Sequence, residues 1–326
     1  MPLVLQWFWL GLRYGSLTLP SVINPSIEGG GLVGESKSAC LEQIGPAYAA
    51  YVAPWVQVAP DESPVQARVR LGCAYPLIAK PDLGWCGYGV RRVEDDAALL
   101  DYARQFPPGA TFIVQQLVAA PLEAGLFYAR DPAARRGRLL SVTVRHPPTV
   151  VGDGVRDVAT LVGADPRLAR HAAAFAAILG SAWRDVPGVG EARIITTVAS
   201  LRVGARYEDV SSCASPALQA CIDAIARSMA GFHWGRFDVR CASLDALQEG
   251  VFQIIEVNGA GSEAINFWDP AFTLASAFAG VFAKQTLLFR LSAAMRRDGH
   301  GPMGVVALSR AWLRQRRLVA GYPPSN

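Results

Sequence analysis

The chain has 326 residues, 51% hydrophobic and 18% charged, with a formal net charge of +4; this predicts two or three lobes around a sizeable core and excludes a disordered polymer. The modest charge, without an aromatic-interleaved basic groove, argues against a nucleic-acid partner. Six cysteines without CxxC spacing argue against a zinc site or a disulfide framework and fit the reduced thiols of a cytoplasmic protein.

The opening MPLVLQWFWLGLRYG is apolar and aromatic. It lacks a basic leader and a small-residue cleavage site, Arg13 interrupts it short of bilayer length, and no later run suits a membrane span. Next comes NPSIEGGGLVGESKSACLEQIG, where Gly29, Gly30 and Gly31 mark a turn and Ser36-Lys37-Ser38 opens a helix. A glycine turn feeding a helix start can bind an anion through backbone N–H groups, and Lys37 would reinforce it. The P-loop spacing is absent, and a glycine loop capping a helix with Lys37 exposed is the alternative.

After a proline- and charge-rich stretch near residue 60, a compact unit follows. AYPLIAKP reads as a strand carrying Lys80, DLGWCGYG as a loop with Gly84, Gly87 and Gly89, and VRRV as a second strand. VEDDAALLDYARQF reads as an amphipathic helix and TFIVQQLV as a third strand. Lysine occurs only at 37, 80 and 284, so 28 of the 31 basic residues are arginine. An ammonium kept inside an apolar strand of such a chain points to work a guanidinium cannot do.

LEAGLFYAR and RLLSVTVRHPP are predicted strands, bearing Glu123 and Arg145. TVVGDGVRDVATLVG is a glycine turn, Gly152-Asp153-Gly154, before a helix. Residues 171–183 continue helical, and EARIITTVASLRVGARYEDVS gives a strand and a turn at Gly204 with Arg202 and Arg206. SPALQACIDAIARSM is a capped amphipathic helix.

Two strands then carry GRFDVRC and VFQIIEVNGAG. Side chains alternate along a strand, so Arg236 and Asp238 share one face, as do Glu256 and Asn258. If the strands are neighbours, two carboxylates, an amide oxygen and a guanidinium converge; such hard oxygens suit Mg²⁺ (or Mn²⁺), especially beside phosphate. Gly259 and Gly261 allow close backbone approach past the strand end. WDPAFTLASAFAGVFAKQTLLFRLSAAMRR reads as one or two helices, and the end as a short basic helix with a disordered tip.

R-x-D, a strand and E-V-N-G together resemble the metal-binding core of the ATP-grasp superfamily, as in D-alanine–D-alanine ligases, glutathione synthetases and cyanophycin synthetases. The resemblance runs from about Tyr75 to Ala264. It implies an α/β (α+β) ATP-grasp fold, two α/β lobes clasping ATP, with a short N-terminal substrate region at 1–65. The lid would be 66–118, the central and C-terminal subdomain with the metal site 119–290, and a basic tail 291–326. Asp238, Glu256 and Asn258 would hold the metal, Lys80 and glycines 84, 87 and 89 the phosphates, and Gln115, Gln116, Leu117 and Val118 the adenine hinge. Many relatives carry Glu where Gln116 stands. Glu123 would lie near the ribose or substrate, and Arg236 would stabilise an acyl phosphate. Lys37, Arg145, Asp153, Arg206, Gly261 and Ser262 are the candidates for substrate contact. The implied activity is a carboxylate–amine ligase acting on small molecules, with a homodimer among the assemblies found in relatives. A phosphotransferase on the same fold and a nucleotide-binding module without turnover stay open.

Overall fold

The computed structural model describes residues 1–326. Eleven strands form two larger antiparallel sheets and one separate two-stranded antiparallel sheet. The strands are β1 (Trp55–Val58), β2 (Leu77–Pro81), β3 (Arg91–Val93), β4 (Phe112–Gln116), β5 (Leu122–Ala129), β6 (Arg138–His146), β7 (Thr149–Val151), β8 (Ala192–Ile194), β9 (Arg206–Asp209), β10 (Trp234–Cys241) and β11 (Gln253–Asn258).

The smaller sheet has the order β1-β4-β2-β3. Its apolar face, with Val56, Val58, Leu77, Ala79 and Val114, packs against Leu99 and Tyr102 of the helix Asp96–Gln105. That helix is capped by Asp95, whose side chain accepts from the Ala98 N–H, an interaction generally worth about 1 kcal/mol. β1 lies within the first 65 residues and forms the edge of this sheet by pairing with β4.

The larger sheet has the order β11-β10-β5-β6-β9. Because side chains alternate, its two faces have different partners. Phe237, Val239, Leu126 and Tyr128 meet Ile222 and Ile225 of the helix Pro216–Ser228. The opposite face carries Trp234 and Phe127, whose rings meet edge-on at 5.2 Å. They pack with Leu10 of the helix Pro2–Arg13 and with Leu288 and Phe289 of the single helix Leu274–Arg297. These apolar partners cover only the Trp234 end of β10. Two and four residues further along the same face stand Arg236 and Asp238, so this face turns from aromatic to ionic within one strand.

The antiparallel pair β7–β8 packs with the helices Val158–Ala164 and Ala172–Leu179, which lie in the connection between the two strands, as a small cluster around Phe175. Asp157 caps the first of these helices by accepting from the Thr160 N–H. The helix Val305–Ala320 runs along the outside. The last six residues, expected to be disordered, are instead docked. Tyr322 stacks on Phe106 with ring centroids 5.1 Å apart and donates to the Leu83 carbonyl, while the Asn326 side chain pairs with both backbone groups of Arg92. No helix is long and apolar enough to cross a membrane.

Candidate active site

The register of β10 and β11 brings the predicted cluster together: Arg236 lies opposite Asn258, and Asp238 opposite Glu256. The Arg236 guanidinium donates to both Asp238 oxygens, at 2.6 and 3.1 Å. Asn258 donates its amide to Asp238 Oδ2 at 3.2 Å, and Arg145 of β6 reaches the same oxygen at 3.3 Å. Asp238 is 1% exposed. Burial pushes its carboxyl up, but the two guanidiniums and their hydrogen bonds win and hold it below the ordinary range. Gly125 on β5 stands opposite Asp238, and a Cβ there would sit 3.0 Å from the Arg236 side chain. The missing side chain thus makes room for the ion pair. Glu123, two residues earlier, bridges Arg145 and Arg240 at 2.9 and 3.1 Å.

The ladder shifts register after Asp238, leaving Ile255 without an opposite residue. Such a bulge frees a backbone group, and the Ile255 carbonyl accepts from Lys80 Nζ at 2.7 Å. Lys80, at the end of β2, also donates to Gln115 Oε1 at 2.7 Å. One ammonium therefore ties the two sheets together. Burial depresses its pKa to about 8 against the pull of Glu256 and Asp238.

The glycine-rich segment before residue 37 packs directly against the end of β11. Gly259 to Gly261 run beside it, with Ala260 N donating to Gly30 O at 3.0 Å. Gly31 has φ +78°, and a Cβ there would come within 2.6 Å of Gly259 Cα. This contact delivers a residue the sequence reading missed. Glu35 accepts from the Gly259 N–H at 2.7 Å, and burial pushes its carboxyl up to about 7, partly offset by that N–H and by Lys37. No periodicity marks a lone acid in a glycine-rich turn.

Lys37 is buried and points at Glu256, 3.3 Å away. Burial lowers its pKa, but Glu256 and Glu35 outweigh that and raise it overall. The expected anion site at the start of its helix is already filled. The Lys37 N–H meets the Asp82 carbonyl, the Ser38 N–H meets Asp82 Oδ1 at 2.8 Å, and Ser36 Oγ accepts from Ala39.

A cavity of about 470 Å³ opens over Glu256, Asn258 and Arg236, a size typical of small-molecule sites. Its roof is the loop of Gly84, Trp85 and Cys86; its sides include Glu35, Arg145, Gly261, Ser262 and Arg202. A Cβ at Gly84 would lie 2.4 Å from Lys37 Nζ, so a side chain there would push that ammonium from its place beside Glu256. Gly87 and Gly89 have φ of +73° and +70° and shape the same loop without lining the cavity. Trp312, Gln315 and Arg316 complete the wall from the C-terminal helix.

Other predicted residues stand apart from this cavity. Asp238, Lys37, Lys80, Glu123 and the hinge do not line it. At the hinge, Gln116 N is taken by the Pro54 carbonyl and the Val118 carbonyl by Arg240, while the Leu117 N–H and C=O and the Val118 N–H have no intramolecular partner. Asp153 sits in an exposed turn paired with Arg156, and Arg206 pairs with Glu208.

Neither a family profile nor a curated protein matches the sequence. Among solved structures, the chain is similar to a bifunctional glutathione synthetase from Pasteurella multocida, at 16% identity and a TM-score of 0.41, covering 76% of this chain and 36% of that one. It is also similar to the D-alanine–D-alanine ligase from Bacillus anthracis complexed with ATP, at 14% identity and a TM-score of 0.46, covering 82% of this chain and 68% of that one. A third is the ATP-grasp ligase PsnB complexed with minimal precursor, at 15% identity and a TM-score of 0.39, covering 77% of this chain and 60% of that one.

Proposed function

We propose that this chain is an ATP-dependent carboxylate–amine ligase of the ATP-grasp type. The observation that carries the reading is the cross-strand ladder Arg236–Asn258 and Asp238–Glu256, met at its open end by two buried lysines from outside that sheet. In the proposed reaction, a substrate carboxylate oxygen takes the γ-phosphoryl group, and the bond to ADP breaks. An amine then adds to the acyl carbon, and the carbon–oxygen bond to phosphate breaks.

The donor set fits a hard divalent cation. Glu256 faces the cavity with its side chain 26% exposed, and Asn258 uses its amide N–H on Asp238, which turns its oxygen away as a free acceptor; Asp238, opposite Glu256 but held by Arg236, Asn258 and Arg145, would join them by giving up part of those bonds. Asp238, Glu256 and Asn258 would hold Mg²⁺, which would neutralise charge during phosphoryl transfer. Lys37, now satisfied by Glu256, and Lys80, now satisfied by a carbonyl and an amide oxygen, would exchange those partners for phosphate oxygens when nucleotide binds. Arg236 presents a fixed, buried positive charge beside the cavity floor for the oxyanion that develops at the acyl carbon. The free backbone edge at Leu117–Val118 suits the donor and acceptor of an adenine ring. The loop of residues 84–89 roofs the cavity, an arrangement that would keep water from an acyl phosphate.

The test is ADP release from Mg-ATP with fractionated small metabolites, hydroxylamine being present to trap acyl phosphates. Hydroxamate formation that the Glu256→Gln variant loses is the expected result. A stable phosphorylated metabolite without hydroxamate would replace this reading with a phosphotransferase, and ATP binding without turnover in any fraction would overturn catalysis on small acids.

A further inference from the structure

Four arginines line the cavity: Arg145, Arg202, Arg236 and Arg316. Two are already neutralised, Arg145 by Glu123 and Asp238, and Arg236 by Asp238. The other two have no carboxylate within ion-pair distance. Arg202 stacks over the Tyr88 ring at 4.0 Å and donates only to neutral acceptors, the carbonyls of Cys86 and Gly87 at 3.1 and 3.2 Å and the Ser325 hydroxyl at 3.3 Å. Arg316 stacks over Trp312 at 4.8 Å and makes no hydrogen bond within the chain. Each guanidinium is thus braced by an aromatic face while its charge goes unanswered.

The acids of the cavity do not answer it. Glu256 holds Lys37, Glu35 accepts from Gly259, and Glu263 accepts from the Trp268 indole at 3.0 Å. Burial lowers the pKa of Arg202, as expected for a cation enclosed without a counter-ion. An aromatic-stacked guanidinium loses little further freedom when it binds a carboxylate, so this pair is preorganised for one. The helix that carries Arg316 is held in place at both walls: Gln315 donates to the Gly84 carbonyl at 3.0 Å and accepts from the Gly34 N–H, and Arg314 pairs with Glu28.

We infer that Arg202 and Arg316 form an anion subsite that selects, as the acid substrate, a molecule with a second carboxylate remote from the reacting one. This deepens the ligase reading and rests on it: the reacting carboxylate meets Arg236, and the second meets the two braced guanidiniums.

The test measures binding, so that it is separate from turnover. Succinate, glutarate and adipate, each against its monoamide, and separately Mg-ATP, are titrated calorimetrically into the full chain. The same titrations use Arg202→Gln, Arg316→Gln and the control Arg310→Gln, an exposed arginine outside the cavity. Melting curves establish that each variant is folded, and Arg316→Lys tests partial rescue. At least one diacid is expected to bind about tenfold more tightly than its monoamide, an advantage lost in both cavity variants and kept in the control. Equal binding of diacids and monoamides by the unmodified chain, or a preference that survives both cavity substitutions, would overturn the subsite. So would a loss confined to Mg-ATP affinity, which would assign these cations to nucleotide phosphates. Failure of the ligase reading alone would appear differently, as diacid binding without hydroxamate formation.

Discussion

Lys80 gives the sharpest test of how the two sheets are joined. Its ammonium is 5% exposed, bonded only to Gln115 Oε1 and the Ile255 carbonyl, and its pKa falls from 10.5 to about 8 through burial. A lysine whose folded pKa lies below its unfolded value binds fewer protons folded than unfolded between those two values. Stability therefore rises as pH climbs through that window. At about 1.4 kcal/mol per pKa unit, the Lys80 contribution should rise by about 2–3 kcal/mol between pH 7 and pH 10. The perturbation is Lys80→Met, which keeps the aliphatic stem and removes the titration. Urea unfolding of both proteins at pH 7, 8, 9 and 10 isolates it, because Lys284, whose pKa burial also depresses to about 8, cancels in the difference. The gap between the native chain and Lys80→Met should shift in favour of the native chain at each step. A gap independent of pH would refute the enclosure of the ammonium and with it the account of the sheet junction.

The two carboxylates of the ladder should separate by role. Asp238→Asn leaves two guanidiniums poorly answered and should destabilise the chain by about 3–5 kcal/mol in urea unfolding. Glu256→Gln takes the ion-pair partner from the buried Lys37 but sits at the cavity edge, so it should cost about 1–3 kcal/mol, less than Asp238→Asn, and cut ADP release about a hundredfold or more. Gly31→Ala forces a Cβ against Gly259 at φ +78° and should cost about 2 kcal/mol or more, read as a lowered melting temperature. Tyr322→Ala removes the stack on Phe106 and the bond to Leu83, so hydrogen exchange at residues 83–89 should accelerate by about tenfold.

Strand periodicity made most of this site readable in advance. Arg236 and Asp238, then Glu256 and Asn258, sit two apart in apolar runs, and alternation alone places each pair on one face; their meeting needed only that β10 and β11 be neighbours, which they are. Lys80 was legible for another reason, as one of three lysines in an arginine-rich chain. What stayed hidden depended on packing between distant segments. Glu35 belongs to the site through a bond to Gly259, 224 residues away, that no local pattern signals. The C-terminal tip has too few residues for periodicity, yet Tyr322 fastens it to Leu83 at the glycine loop and Asn326 to Arg92 of β3. The helix start at Lys37 looked open because the acid that fills it, Asp82, comes from the end of β2.

The scarcity of lysine has a practical consequence. Lys37 and Lys80 are buried, and Lys284 is occupied by the Ser262 carbonyl at 2.6 Å beneath the cavity. Every other side-chain cation is an arginine, which keeps its proton throughout the alkaline range. The outer surface therefore offers acylating reagents no free lysine, and its positive charge is constant where most proteins lose theirs. Amine-directed chemistry, ordinarily an indiscriminate label, is confined here to the α-amine and three lysines, so that protection of Lys37 and Lys80 by a ligand reads as occupancy.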